Sequence, residues 1–330
     1  MNASFYASLL RQEIAAHNRL YAVGRSCVLS AGAEPVIVYA PEVDANGSMI
    51  HGNFLNATYQ AILARPEWAR RLSKIHAQGS ALPRLLDEPM RKWRELDSSM
   101  SSDALLMNVF CSPEVTEQSE LRRMLGVDSE EPPIFGWRAR VALKSGLVDR
   151  TEVDMRWGDL LVEAKLTELD FQTRAAAIVE AYKDFNVVFE SVLLPRVEIR
   201  EVRHRAAIEM PEEFTQEWEP AAESNEIASK FQAEIVKRAW RAAPMVAGYA
   251  GYQLIRNVLA AHAAGCSFCV IHDERRPDLR EVWFAVMAAV RHSELRTRLK
   301  VLTWQELAAF LPKELQLFLN AKYGIVSAGR

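Results

Sequence analysis

Between Phe135 and Thr167 the chain runs through three short segments of alternating character, and no other stretch limits the fold as strongly. In FGWRARVALK, Phe135, Trp137, Ala139, Val141 and Leu143 alternate with Gly and basic residues, as expected of a strand with one face buried. Ser145-Gly146 supplies a turn. In LVDRTEVDMRW, Val153 and Met155 share one face while Glu152, Asp154 and Arg156 share the other, ahead of a turn at Gly158-Asp159. In LLVEAKLT, Leu160, Val162, Ala164 and Leu166 lie on one side and Leu161, Glu163, Lys165 and Thr167 on the opposite one. Three such strands joined in antiparallel order bring Asp154, Glu163 and Lys165 to one side of one sheet.

That grouping has a chemistry. Hydrolysis of a phosphodiester needs a cation to neutralise developing charge, a positioned water, and hard oxygen ligands suited to Mg2+ or Mn2+. Asp154 and Glu163 would supply carboxylates, and the carbonyl of Ala164 a further ligand. Lys165, two residues from Glu163 on the same face, would orient the attacking water or stabilise charge on phosphorus. Taken alone, Glu-x-Lys is common on exposed strands, where it is a solvated pair worth little. The aspartate on the preceding strand and the apolar opposite face single it out.

The surrounding chain reads as α/β. Residues 1–94 are expected to be mostly helical, with a short strand and turn between 35 and 53 and helical spacing over 66–76 and 90–112. SEEPPIF, residues 129–135, stops a helix and starts an extended segment. After Leu169 the pattern is helical to about Asp184 and acidic through 209–226, read as an exposed loop. From Glu226 helices resume, and the tail alternates helix and strand: YQLIRNVLAAHAA, SFCVIHD, EVWFAVMAAV, LKVLTW, QELAAFL and KELQLFLNAKY.

Bulk properties narrow the class. With 330 residues and 49% apolar content the chain can bury one large core or two modest ones. No segment approaches the roughly 20 apolar residues of a membrane span, and the start lacks a signal-peptide pattern, so a cytoplasmic protein without membrane attachment is expected. The four cysteines are too scattered for a disulfide framework and are read as free thiols. Cys266 and Cys269 have half the spacing of a zinc site but no second pair, and His272-Asp273-Glu274 is read as structural. A net charge of −3 gives no overall attraction to nucleic acid. Phosphate contacts must come from a local basic face, with 70–74, 91–95, 196–205 and 296–300 as candidates and solvated faces as the ordinary alternative.

The string TEVDMRWGDLLVEAKLTE resembles the D-x(n)-E-x-K signature of the PD-(D/E)XK nuclease superfamily. The resemblance implies a restriction-endonuclease-like αβββαβ core: helix 98–111, strands near 135–144, 147–156 and 160–167, helix 245–264 and strand 268–272. Residues 95–330 would be that domain, with an insertion over about 169–240. SSDALLMNVF, Glu168 and YQLIRN also resemble a bacterial family of restriction endonucleases. Several branches of the superfamily place a Gln or basic residue of the second core helix at the metal centre, a role the resemblance extends to Gln253 and Arg256, spaced i and i+3, with a helix-surface hydrogen bond and ion pair as the alternative. Asp154 follows Val153, so the PD dipeptide itself is absent, and no acid of the first helix stands out.

The expected activity is Mg2+- or Mn2+-dependent cleavage of DNA in bacterial defence, catalysed through Asp154, Glu163, Lys165 and Gln253. Arg256, Arg150 and Trp157 are expected nucleic-acid contacts, Trp157 because it stands in the turn beside the site where a base could stack on it. Cleavage of both strands would suit a homodimer, and defence systems would suit a partner protein. The alternative is a catalytically inactive subunit that binds nucleic acid or a partner.

Overall fold

The computed structural model describes residues 3–30, 35–39, 41–75, 93–200 and 244–327. Its elements in chain order are α1 (Ala3–Ala22), α2 (Ser102–Phe110), β1 (Ile134–Arg138), β2 (Glu152–Trp157), β3 (Leu160–Ala164), α3 (Tyr252–Ala264), β4 (Ser267–His272), α4 (Pro277–Ala288), β5 (Leu299–Thr303), α5 (Trp304–Ala308) and α6 (Lys313–Tyr323), with short helices, turns and small strand pairs between them. The five strands form one mixed sheet in the order β5-β4-β3-β2-β1. β1, β2 and β3 pair antiparallel as consecutive strands, whereas β3, β4 and β5 are parallel. Parallel neighbours need crossovers. α3 lies between β3 and β4 in sequence, and α4 between β4 and β5.

Helices cover both faces of the sheet. On one face Val162, Ala164, Cys269 and Ile271 pack with residues of α2, α5 and α6. On the other, Leu161, Phe268 and Val270 pack with α3 and α4. All five residues of β3 are therefore buried, not the half-buried alternation its sequence suggests, because β3 is the central strand with a helical layer on each side. Leu254, Ile255, Val258 and Leu259 seat α3. Their burial contributes roughly 6–12 kcal/mol of gross transfer free energy, which fixes the rotation of α3 and hence its polar residues.

Several boundaries differ from the sequence expectations. Residues 245–264 divide into a strand, Met245–Ala250, and α3, separated by Gly251 at φ +75°. That strand pairs on both edges, with Thr173–Ala175 and with Arg196–Arg200. Likewise 169–184 is not one helix: Thr173–Ala175 is extended and only Ala176–Val179 is helical. The helix expected over 90–112 starts at Ser102, because the Ser101 hydroxyl accepts the amide of Ala104 and caps it. Helix 66–76 shortens to Pro66–Ala69 followed by a 3-10 turn. Strand 135–144 breaks after Arg138, and Val141–Ala142 pairs separately with Val148–Asp149 around Gly146. The acidic run 209–226, the helix from Glu226, and parts of 91–95 and 196–205 lie outside the described residues.

The N-terminal segment is tied to both halves of the molecule. The Asn18 amide donates to the carbonyl of Lys322 at 3.1 Å and its oxygen accepts from Lys322 Nζ at 2.7 Å, joining α1 to α6. Trp68 Nε1 donates to the carbonyl of Pro133 at 2.9 Å, joining it to the start of β1.

Candidate active site

Met155 pairs with Val162 across β2 and β3, and continuing that register sets Asp154 opposite Glu163. The Ala164 amide donates to Asp154 Oδ2 at 2.8 Å. β3 ends at Ala164, but the Lys165 amide still donates to the carbonyl of Ile271 at 2.8 Å, which carries the ladder one residue further. On its other side, the Lys165 carbonyl accepts from Trp304 Nε1 at 3.0 Å. The Glu-x-Lys segment is thus held by neighbours on two elements.

Its side chains are buried, with Glu163 1% and Lys165 5% exposed, which removes the reading of a solvated surface pair. Lys165 Nζ donates to Glu163 Oε1 at 2.7 Å, and Asn257 Nδ2 donates to Oε2 at 2.7 Å. Asn257 Oδ1 in turn accepts from Arg256, whose guanidinium also donates to the carbonyl of Glu152 at 2.8 Å. One face of α3 therefore orients a carboxylate of β3 and ties it to the start of β2. Burial works against a charged Lys165, yet the carboxylates of Glu163, Glu168 and Asp154 raise its pKa above the ordinary lysine range. At neutral pH it is an ammonium: a donor, not a base.

Asp154 and Lys165 open onto a polar cleft of about 260 Å³, whose walls also include Ser102, Asp103, Glu168 and Gln253. Burial, then the charges of Glu163 and Asp103, push the Asp154 carboxyl well above the usual carboxylate range, and Lys165 and the Ala164 amide offset only part of this. Asp103, the second residue of α2, is also raised by burial against the opposing charge of Arg71. Arg71 bridges Asp103 to Glu152, with Nη1 3.0 Å from Glu152 Oε2. The bridge passes beside Gly136, where φ is +64° and an added Cβ would come within 2.3 Å of Arg71 Nη1. Glu168 accepts from the Ser102 hydroxyl and, at 2.7 Å, from the Leu166 amide. Arg276, fully buried, donates to the carbonyls of Leu166, Glu168 and Leu169 while paired with Asp278 at 2.8 Å, so the turn leaving the site is clamped.

The residues singled out from sequence fall into two groups. Asp154, Glu163, Ala164 and Lys165 are brought together, and Gln253 stands in the cleft wall. Arg256 faces inward, buried and engaged with Asn257 and Glu152. Arg150 is exposed on the turn before β2. Trp157, expected beside the site as a stacking surface, is instead a core residue, 1% exposed, with its indole N–H donated to the carbonyl of Glu131 at 2.9 Å. Sequence reasoning missed Asn257 and Asp103, although both lie inside strings, YQLIRN and SSDALLMNVF, that carry the family resemblance. The four cysteines are free, and burial pushes Cys269 up to about 12. Among the described residues no three His, Cys, Asp or Glu side chains converge as a closed metal cage would require, and no helix is long and apolar enough to cross a membrane.

A mixed central sheet flanked by helices is consistent with a restriction-endonuclease-like protein, and the family that the chain matches points to a nuclease role in defence. The chain belongs to the family described as restriction endonuclease associating with ARP, which it matches over residues 22–324. No curated protein and no solved structure matches it.

Proposed function

We propose that the protein is a Mg2+- or Mn2+-dependent endonuclease that hydrolyses phosphodiester bonds of DNA in restriction or anti-phage defence. The observation that carries this is that Asp154 and Glu163 face each other across β2 and β3, with Glu163 paired to a charged Lys165 and with Asp154 and Lys165 lining a polar cleft. The element order α2, β1, β2, β3, α3, β4 supports the αβββαβ core that the resemblance implies.

The donor set fits a hydrated divalent cation better than a caged one. The buried Glu163 carboxylate, the half-buried Asp154 carboxylate and the Ala164 carbonyl are hard oxygen donors, and Mg2+ keeps several waters where protein ligands are few. A cation there would offset the burial and the charges of Glu163 and Asp103 that raise the Asp154 pKa. When bound, it would supply Lewis-acid stabilisation of the phosphoryl oxygens and a more acidic water. Lys165 donates from a fixed ammonium to the attacking water or to a non-bridging oxygen, and Asn257 keeps Glu163 aimed. Gln253 stands where its amide can hold a water or phosphate oxygen in the cleft.

A partner protein in a defence system is the corresponding proposal for assembly, because the family is described by its association with ARP. The same description favours a second reading, a subunit that binds nucleic acid or a partner without cleaving. Plasmid DNA, single-stranded DNA and RNA incubated with Mg2+ or Mn2+ distinguish the two, with Asp154→Ala and Lys165→Ala beside the wild type. Cleavage lost in both variants supports the nuclease. Equal cleavage by all three proteins refutes this site, and inactivity of all three turns the argument to the second reading.

A further inference from the structure

A second groove, of about 840 Å³, adjoins the catalytic cleft between the segment around Arg65–Lys74 and β1. Five cationic side chains line it, Arg65, Arg70, Arg71, Lys74 and Arg138, against only two acidic ones, Glu67 and Glu152. The inner two cations are engaged: Arg71 with Asp103 and Glu152, and Lys74 with Glu95 at 2.8 Å and Glu152 at 3.6 Å. The outer three are exposed, and among the described residues none of them has a carboxylate within ion-pair distance. Arg65 is nevertheless ordered, its guanidinium 4.8 Å above the ring of Trp68. Trp68 is fixed in turn by Pro133 and by an edge contact with Phe135.

A solvated basic face is the ordinary explanation for exposed arginines. Three features argue for more: the groove is concave, Trp68 and Phe135 line it, and it adjoins the catalytic cleft. Lys74 lines both cavities. Arg138 pairs in register with Glu152, two residues before Asp154 on β2. Two strand residues span roughly 7 Å, or about two nucleotides of rise along one DNA strand. A phosphate held at Arg138 and Arg70 therefore sets the backbone on course for Asp154 and Lys165.

We infer that this groove is the track for the phosphate backbone of duplex DNA, with Arg65, Arg70 and Arg138 as its phosphate contacts. The inference rests on the nuclease reading and names the surface through which substrate reaches that site.

The test is duplex-DNA binding by the full-length protein in EDTA, followed by fluorescence anisotropy from 50 to 200 mM salt (roughly the range over which phosphate contacts are read). Replacing Arg65, Arg70 and Arg138 together with Ala is expected to weaken binding roughly ten- to a hundredfold and to flatten the log–log salt slope by about 2–3. Replacing the same three with Lys should restore most of the slope, which a folding defect would not allow. Arg291→Ala, outside the groove, should leave both unchanged. An unaltered slope in the triple Ala variant, or no duplex binding by the wild type, overturns the inference, as does an effect confined to single-stranded RNA. Failures of the two readings separate cleanly. An unaltered slope with cleavage lost in Lys165→Ala removes the groove and leaves the nuclease, whereas a flattened slope with cleavage intact in Lys165→Ala and Asp154→Ala does the reverse.

Discussion

Asp154→Asn should make the metal-free protein more stable. In the wild type the Asp154 carboxyl is partly withdrawn from solvent and faces Glu163 and Asp103, and these effects together raise its pKa well above the usual carboxylate range. Asn keeps an oxygen to accept the Ala164 amide, so that bond, worth about 1 kcal/mol net, survives. Lys165 loses one attraction but retains Glu163 at 2.7 Å and the field of Glu168. What disappears is the cost of a partly buried carboxylate opposed by two others. Single stabilising substitutions commonly give about 0.5–2 kcal/mol. With an unfolding entropy of about 2.1 cal/mol/K per residue over 330 residues, the rise in Tm is about 1–3 °C.

The pH dependence carries the sign. A carboxyl whose folded pKa is raised favours the fold fully below its unfolded value, near 3.8 for Asp154, and that contribution is lost as pH climbs through the folded value. The advantage of Asp154→Asn should therefore vanish near pH 4 and grow as pH rises from there toward the folded value. Thermal unfolding in EDTA between pH 4 and 8 reads it directly. Added Mn2+ should raise the wild-type Tm and leave the variant where it was. An Asn variant less stable than wild type in EDTA, or an advantage that is flat in pH, would refute the account of the site as a repelling carboxylate cluster.

Glu163→Leu alone should cost about 3–5 kcal/mol, because it strands the buried Lys165 ammonium, and adding Lys165→Met should recover most of that loss while leaving the protein inactive; urea titrations of the single and double variants check this. Arg276→Met removes the clamp on the turn carrying Glu168 and leaves Asp278 without its partner, so a loss of about 3–5 kcal/mol is expected by the same measurement. Lys322 is fully buried between α1 and α6, and burial pulls its pKa down to about 7. Between pH 7 and the unfolded value near 10.5 the unfolded chain binds a proton that the folded one does not, so stability rises with pH across that window. The stability difference between wild type and Lys322→Met should climb over the same range, and a constant difference would mean that Asn18 and the Tyr21 ring keep the ammonium charged.

The hairpin that carries Asp154, Glu163 and Lys165 was legible because a period of two assigns faces without any knowledge of the partner strand. What surrounds it was not, for reasons that differ by residue. Met245–Ala250 is apolar and unbroken, and only its pairing with residues 45 to 77 positions away makes it a strand. Gln253 and Arg256 share a helix side by spacing, yet the seating of α3 by Leu254, Ile255 and Val258 directs Arg256 to the carbonyl of Glu152 and leaves Gln253 in the cleft. Trp157 adjoins a turn, which suggested exposure, but its indole packs edge-on against Phe110 of α2. Asp103 carried no mark in the sequence, because its importance comes from the Arg71 bridge over Gly136, a contact among three distant segments.

The placement of the charged pair is itself informative. β3 is the middle strand, closed on both faces by apolar cores, and it is where a fold gains most from Val, Ile or Leu. A buried ion pair there is, by itself, neutral or unfavourable for stability compared with apolar residues of the same size. Yet Asn257, Arg256 and Trp304 are all engaged in holding Glu163 and Lys165 in one arrangement, while Arg276 fixes the turn that follows. None of those bonds is needed to seat the sheet, which the two cores already do. Their joint effect is to fix the direction of one carboxylate and one ammonium beside an open cleft, and that makes rigid placement of charge, not strength of the fold, the property this part of the chain provides.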